Sequence, residues 1–284
     1  VSADLLRAAG EAFGQAGAAA VIFAQEATRG DLGGARIAAI ADLVLLTGNV
    51  GRPGTGVYPL LGGANSQGLA DMGVRPDRLP GGAAPADSSG VGLAGITSAI
   101  ESGEIDALYV VGADPALALA DERRVRKALE KVGFLVVQDS FLSDTAEYAD
   151  VVLPAAVAGE DEGTFTNLER MVQRVRPAVP VKGESLPDWQ IVQAVANALD
   201  ADWAYKAPAD IMREISEIAP AYKGVSYDKL ERGGVQWPCT ATECPGTAVL
   251  HCDGFANGKA AFAPVKSGVA TLATDGEFPL VLMT

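Results

Sequence analysis

The residues best suited to chemistry follow two predicted strands, Ala107–Val111 and Phe134–Val137. The first apolar run is followed by Gly112-Ala113-Asp114-Pro115, and the second by Gln138-Asp139-Ser140. In a doubly wound parallel sheet, ligands bind at the carboxyl ends of the strands. A glycine there lets the backbone approach a phosphate, and a carboxylate accepts from a ribose hydroxyl or a guanine N–H edge. Gly112, Asp114, Gln138 and Asp139 are therefore candidate nucleotide ligands, although both aspartates could instead cap the following turns.

A second candidate site lies in a long stretch, from Thr47 to Gly82, that is punctuated by glycine and proline. Long loops of this kind are uncommon inside compact domains and are often functional. Asn65, Ser66 and Gln67 lie between glycines in this loop. They could orient a pterin or a nucleotide, or they could satisfy buried loop backbone.

Other kinds of site lack the residues they need. The sequence contains no GxxxxGK[ST] motif for a P-loop, and no GxGxxG motif directly follows a predicted strand, as a dinucleotide site requires. The cysteines, Cys239, Cys244 and Cys252, form no CxxC pair, and His251 is the single histidine. We therefore expect no metal site in this chain, because zinc and iron–sulfur sites need about four ligands. The acidic run Glu160–Glu162 is predicted to be a solvated turn.

The surrounding elements predict an α/β fold with a parallel sheet and helices on both faces, Rossmann-like in its alternation. Short apolar strands alternate with amphipathic helices, and the predicted helices cover 4–16, 33–46, 96–102, 121–132, 143–148, 188–199 and 209–218. A further strand is predicted at 278–284. We predict a nucleotide-binding-like domain over 1–158 and a loop-rich α/β extension over 159–284.

Composition excludes several classes of partner. The formal net charge is −14, which disfavours direct binding to nucleic acid or anionic lipid. The most apolar stretch, 37–46, is interrupted by Asp42 and is too short to span a bilayer, so no direct membrane insertion is expected. An odd number of cysteines favours a reducing compartment over a disulfide scaffold.

Taken in chain order, these segments resemble the molybdopterin-dependent oxidoreductases. The resemblance begins at Thr47–Val57 and covers nearly the whole chain. Its further segments are Asn65–Gly68, Asp71–Gly73, Tyr109–Pro115, Val137–Phe141, Thr145–Glu147, Ala149–Pro154, Gly163–Asn167, Glu169–Arg170, Gln173–Val175, Pro187–Trp189 and Gln236–Cys239.

The resemblance implies roles for the candidate residues. Gly112, Asp114, Gln138 and Asp139 would lie at the guanine half of a molybdopterin guanine dinucleotide, and Asn65 and Gln67 would belong to a loop facing the metal. It also implies that the cluster-binding cysteines and the metal-ligating Cys or selenocysteine precede Val1, and that a final cofactor-covering domain follows Thr284. No catalytic or metal-binding residue is then expected within this chain.

One departure bears on the choice between relatives. Formate dehydrogenases carry an arginine that aligns at Leu61, and leucine cannot hold a carboxylate substrate bidentately. This favours a resemblance to the large iron–sulfur subunit of respiratory NADH–quinone oxidoreductase, complex I. The fold would then be a scaffold without its own cofactor, beside the iron–sulfur clusters of the parent protein. Its partners would be other subunits of a respiratory complex, in the cytoplasm at the periphery of the inner membrane. The alternatives are a formate dehydrogenase alpha subunit and a free-standing α/β binding module.

Overall fold

A computed structural model describes residues 1–28, 32–85, 90–255, 257–265, 276 and 279–280. The chain divides into two compact units, one formed by residues 1–63 and 247–284 and the other by residues 64–246. The predicted boundary between residues 158 and 159 falls inside the second unit and stays a prediction. Most of the strand predicted at 278–284 lies outside the described residues.

The first unit contains a parallel two-stranded sheet. Its elements are α1 (Ala3–Gln15), β1 (Ala20–Ala24), α2 (Gly33–Leu46) and β2 (Gly56–Leu60). Strand β2 lies in the stretch predicted to be a loop, so that prediction was wrong over these residues. Pro59 is tolerated because, among the described residues, β2 is paired on one side only, with β1. Buried Asn49 accepts a hydrogen bond from the Ala19 amide at 2.9 Å, which ties the end of α2 to the start of β1.

The second unit contains a parallel three-stranded sheet in the order β3-β4-β5. Its strands and neighbouring helices are α3 (Ser66–Asp71), α4 (Leu93–Ser102), β3 (Ala107–Val111), α5 (Pro115–Ala118), α6 (Glu122–Leu129), β4 (Phe134–Asp139) and β5 (Val151–Pro154). One face of this sheet, carrying Val110, Leu135 and Val137, packs against Val125 and Leu129 of α6. The apolar runs form a parallel sheet because helices connect them and cover this face.

An antiparallel sheet follows in the same unit. It comprises β6 (Gly163–Thr166), β7 (Met171–Val175) and β8 (Val235–Gln236), in that order. Helices α7 (Asp188–Ala198), α8 (Pro208–Ile218) and α9 (Tyr227–Leu230) complete the unit. A core of buried side chains lies here: Val172, Met212, Ala219, Tyr222, Val225, Leu230, Val235 and Cys239.

The hairpin formed by β6 and β7 was not predicted. Its charged residues suggested a solvated turn, but Glu162 forms an ion pair with Arg174 at 2.5 Å, and both side chains are mostly shielded from solvent. The Asp161 carboxyl is also partly buried, and this burial raises its pKa despite hydrogen bonds from the Glu162 and Asp188 amides. The acidic run is therefore paired and packed at this point rather than solvated.

The α/β fold class is confirmed, since each unit contains a parallel sheet flanked by helices. Among the described residues, no helix is at once long and apolar enough to cross a bilayer.

Candidate functional site

The turn after β3 begins with Gly112, whose φ is +58°. Its N–H donates to the Gln138 carbonyl at 2.8 Å, so the turn is hydrogen bonded to the neighbouring strand. A Cβ built on Gly112 would meet no atom within 4 Å. The left-handed backbone, not crowding, is therefore what favours glycine. The space beside this backbone is open to a ligand.

Asp114 ties the same turn to the segment before β5. Its carboxylate accepts from the Thr145 amide at 3.1 Å, the Thr145 hydroxyl at 2.6 Å and the Asp144 amide at 3.2 Å. Partial burial alone would favour the protonated form, but these donors together hold the pKa of Asp114 below its usual value. Buried Thr145 also accepts from the Ala116 amide at 3.0 Å. The carboxylate therefore braces two turns, whichever ligand lies beside them.

Gln138 is fully buried at the end of β4. Its Oε1 accepts from the Tyr109 hydroxyl, and its Nε2 donates to Asp188 Oδ1 at 2.5 Å. Burial, and then the charge of Asp188, raises the pKa of Tyr109. The Gln138 side chain thus joins β3 to the first residue of α7. Both the oxygen and the nitrogen of its amide group already have a hydrogen-bond partner within the protein.

Asp139 has fewer partners within the protein. Its Oδ1 accepts from the Phe141 amide at 3.2 Å, and its backbone carbonyl accepts from the Ala155 amide at 3.0 Å. The side chain is half-buried, and Phe141 beside it is 74% exposed. Of the four strand-end candidates, Asp139 therefore offers a carboxylate most readily to a ligand.

Asn65 and Gln67 lie elsewhere in the same unit, Asn65 directly before the helix α3 and Gln67 on it, where α3 faces β6. Asn65 Oδ1 accepts from the Thr166 amide at 2.8 Å. A Cβ at Gly68 would lie 2.1 Å from the same oxygen, so the Asn65 side chain fits only because residue 68 is glycine. Gln67 Nε2 donates to Asp71 Oδ1 at 2.8 Å.

Asp71 is the centre of a buried network. Its Oδ2 accepts from the Tyr222 hydroxyl at 2.6 Å, and that hydroxyl lies 3.1 Å from Thr166 Oγ1. Burial raises the pKa of Asp71 despite these hydrogen bonds, and burial together with the Asp71 carboxylate raises the pKa of Tyr222. The Trp237 indole lies near this carboxylate, but its buried N–H makes no hydrogen bond of standard geometry with the described residues.

The structure therefore separates the six predicted ligands into two groups. Gly112, Asp114, Gln138 and Asp139 come together at adjacent strand ends, whereas Asn65 and Gln67 belong to the network around Asp71. Sequence reasoning missed Tyr109 and Asp188, which hold Gln138 in place. A tyrosine inside an otherwise aliphatic strand was the available signal for the first of these.

No group of three or more potential metal ligands is found among the described residues. Cys252 is exposed, and Cys239 and Cys244 lie together in the antiparallel part of the second unit.

Curated relatives align with most or all of this chain. The alpha subunit of an F420-dependent formate dehydrogenase from Methanococcus maripaludis is 40% identical over 303 aligned residues, spanning 100% of this chain and 45% of the relative. A putative formate dehydrogenase of Staphylococcus haemolyticus is 42% identical over 265 residues, 86% of this chain and 27% of the relative. One from Staphylococcus aureus is 42% identical over 267 residues, with the same two shares. The chain thus spans less than half the length of these relatives.

A solved structure, acetylene hydratase from Pelobacter acetylenicus, aligns with a TM-score of 0.41 and 17% identity over 48% of this chain and 19% of that one.

These relatives overturn the complex I interpretation. The prediction that the chain is a scaffold in the large iron–sulfur subunit of NADH–quinone oxidoreductase was wrong, because the relatives at 40–42% identity are formate dehydrogenases. That prediction rested on Leu61, which follows β2 and is 43% exposed. The absence of one guanidinium at one loop position does not exclude carboxylate binding, because other donors can hold the same anion.

The family model for molybdopterin oxidoreductases matches residues 3–198, more than half of the chain, and includes all six candidate ligands. The chain belongs to the molybdopterin oxidoreductase family.

Proposed function

We propose that this chain is part of the alpha subunit of a molybdopterin-dependent formate dehydrogenase. The observation that carries the proposal is the identity of 40–42% to formate dehydrogenases over 86–100% of the chain. One of these relatives is itself named as an alpha subunit, so the parent protein is proposed to work with other subunits. The iron–sulfur clusters of that parent are proposed to lie on segments other than this one.

The strand ends of β3 and β4 are proposed to hold the guanine half of a molybdopterin guanine dinucleotide. The open space beside Gly112 admits the nucleotide against backbone, and the Asp139 carboxylate can accept from a ribose hydroxyl or the guanine N–H edge. Asp114 and Gln138 fix the two turns that carry these groups. When bound, the pterin-held metal supplies the acceptor for the two electrons released as formate becomes carbon dioxide and a proton.

Asn65 and Gln67 are proposed to hold the loop that faces the metal rather than to bind the nucleotide. Their side chains are anchored to Thr166 and Asp71, so the backbone between them keeps one conformation. A fixed backbone positions donors toward a bound anion without further ordering cost.

The first test is the metal content of the full-length parent protein, purified from its own cells. We expect about one molybdenum or tungsten per chain by elemental mass spectrometry, together with formate oxidation coupled to a redox dye. A preparation that keeps its iron, contains neither metal and leaves formate unchanged would contradict the proposal.

The nucleotide site has a matched pair of variants. Gly112→Ala and Gly103→Ala both place a side chain at positive φ, +58° and +77°, with no atom within 4 Å of the new Cβ. Each should cost about 1 kcal/mol in backbone strain. We expect only Gly112→Ala to lower the amount of guanine nucleotide released per chain on denaturation. Equal nucleotide content in both variants would show that Gly112 does not contribute to the nucleotide site.

Asp139→Ala tests the carboxylate with the same measurement. Since the Asp139 side chain makes one hydrogen bond with the described residues, the folded state should persist while guanine nucleotide content falls. Asp121→Ala is the control, because that carboxylate likewise accepts one backbone N–H, from Arg124, at the start of a helix. Full nucleotide content in the Asp139 variant would contradict the assigned role.

A further inference from the structure

Two cysteines are in contact in the antiparallel part of the second unit. Cys239 Sγ donates to the Cys244 carbonyl at 3.1 Å, and Cys244 packs against the buried cluster that contains Cys239. The two side chains differ in accessibility. Cys239 is 0% exposed within the core, whereas Cys244 lies at the edge of that core and is half-buried.

The groups around the pair favour a thiolate on Cys244. Its Sγ accepts from the Gly246 amide at 3.4 Å, and Lys229 Nζ lies 2.9 Å from the Cys244 carbonyl and 3.8 Å from Cys239 Sγ. The Gly246 N–H and then the Cys239 thiol lower the pKa of Cys244. Burial is the main reason that the pKa of Cys239 is raised. Cys244 is therefore the better nucleophile, and Cys239 stays protonated behind it.

A small surface pocket reaches Cys244. Its volume is about 270 Å³, and its lining includes Lys229, Arg232, Glu243 and Cys244. The two cations outnumber the one carboxylate and so favour an anionic sulfur at this position, and the volume is large enough to hold a small oxidant. Cys239 does not line the pocket.

We propose that Cys239 and Cys244 form a peroxide-reactive pair, in which Cys244 is oxidised first and Cys239 then closes a disulfide with it. The inference stands apart from the proposed function, because it needs neither the pterin nor formate. It assigns a modification site whose co-reactant is hydrogen peroxide or a small organic hydroperoxide.

The reaction balances in two steps. The Cys244 thiolate attacks one oxygen of hydrogen peroxide, the O–O bond breaks, and Cys244 becomes a sulfenic acid as hydroxide leaves. Cys239 then loses its proton to that hydroxide, forming water, and its sulfur attacks Cys244. The S–O bond breaks and the departing hydroxide takes up a proton from solvent. Overall, two thiols and one peroxide give one disulfide and two waters.

The test treats the full-length parent protein briefly with hydrogen peroxide, blocks remaining thiols and maps the cysteines by mass spectrometry. Cleavage after lysine and arginine leaves all three cysteines on the peptide 233–259, and further cleavage after Glu243 separates Cys239 from Cys244 and Cys252. We expect the two halves to remain joined after peroxide, with a loss of about 2 Da, and to separate on reduction.

Exposed Cys252 is an internal control, because within the described part of the chain its thiol receives no amide hydrogen bond like the one at Cys244. We expect Cys244 to react about tenfold faster than Cys252. A disulfide that uses Cys252, or oxidation of Cys252 while Cys239 and Cys244 stay reduced, would overturn the proposal. Because the mapping uses the unmodified sequence, it does not depend on a variant that folds.

Variants separate the two roles. In Cys239→Ser the sulfenic acid on Cys244 should persist and be trapped by dimedone, whereas in Cys244→Ser the buried Cys239 should stay reduced at the same peroxide dose. Cys252→Ser should form the disulfide at the rate of the natural protein. Rapid oxidation of Cys239 in the Cys244→Ser protein would show that the order is wrong.

Discussion

Asp114 and Asp71 are two partly buried aspartates in one compact unit with opposite protonation tendencies. Asp114, at the strand ends, receives two backbone amides and a hydroxyl, and its pKa is lowered. Asp71, the last residue of α3, receives side-chain donors from Gln67 and Tyr222 within a deeper environment, and its pKa is raised. Burial opposes charge at both positions. The donors outweigh burial at Asp114, whereas burial outweighs the donors at Asp71.

The difference shows how each region is built. At the strand ends, the ionised Asp114 carboxylate accepts hydrogen bonds from backbone amides of the next segment. The outer surface of the turn therefore stays open for a ligand. The α3 region is closed by a carboxyl in a more deeply buried position, where burial outweighs the side-chain donors and favours the neutral acid. The predictions below test this contrast, from the largest expected effect to the smallest.

Asp114→Ala should produce the largest loss, because Thr145 and Asp144 keep three donors without their acceptor. We expect about 3 kcal/mol of local destabilisation. Hydrogen exchange of the parent protein should show faster exchange at the amides of residues 143–146. Asp139→Ala removes one acceptor bond and serves as control; equal acceleration in both variants would contradict the bracing role.

Gly68→Ala should act on the other region. The new Cβ would lie 2.1 Å from Asn65 Oδ1, so Asn65 must move and the Thr166 amide loses its acceptor. We expect a loss of about 2 kcal/mol, seen as faster exchange in β6. Gly10→Ala is the matched control in an exposed helix with no atom within 4 Å, and should slightly stabilise α1. Unchanged exchange at Thr166 in Gly68→Ala would disprove the close fit.

Tyr109→Phe should have a moderate effect that separates bracing from ligand binding. Buried Gln138 would lose the donor to its Oε1, at a cost of about 1 kcal/mol. We expect lower thermal stability with unchanged guanine nucleotide content. A fall in nucleotide content larger than the fall in stability would mean that the tyrosine touches the ligand.

The smallest expected effect is on pH dependence, and its sign differs between the regions. A lowered folded pKa means that Asp114 contributes stability above its ordinary pKa, lost as pH falls through the folded value. A raised folded pKa means that Asp71 contributes stability in acid, lost as pH rises from its ordinary pKa through the folded value.

Asp114→Asn should therefore weaken the loss of stability in acid, and Asp71→Asn should weaken the loss as pH rises. Local hydrogen exchange, corrected for the intrinsic effect of pH, measures both slopes on the parent protein. If both substitutions changed the slope of local stability against pH in the same direction, the contrast between the two regions would be refuted.

The parts of the fold that could be predicted are those whose residue pattern has one interpretation. Strands β3 and β4 are short aliphatic runs that follow helices, and the sequence predicts both within two residues of their observed bounds. Strand β2 was missed because glycine and proline surround it. Strands β6 and β7 were missed because charges such as Arg174 indicate solvent, and the ion pair with Glu162 forms only after the hairpin closes.

The site was predictable in position but not in the division of roles. Strand ends identify Gly112 and Asp139 from local sequence alone. The use of Gln138 as a brace depends on Asp188, fifty residues further along the chain, and no local pattern encodes that contact. The complex I interpretation was wrong because it relied on one side chain, Leu61, more than on the similarity of the remaining chain to formate dehydrogenases.

The hydrogen-bond chain from Tyr109 through Gln138 to Asp188 has a direction. The Tyr109 hydroxyl donates a hydrogen bond to the carbonyl end of the Gln138 amide, and the NH₂ end of that amide donates one to the Asp188 carboxylate. Only a side chain that accepts at one end and donates at the other completes this sequence. Glutamate has nearly the same shape, but it would set one carboxylate against another in a fully buried position. Glutamine and glutamate would both fit at position 138 by size and shape. The hydrogen-bond partners distinguish them, because only the amide both accepts from the hydroxyl and donates to the carboxylate.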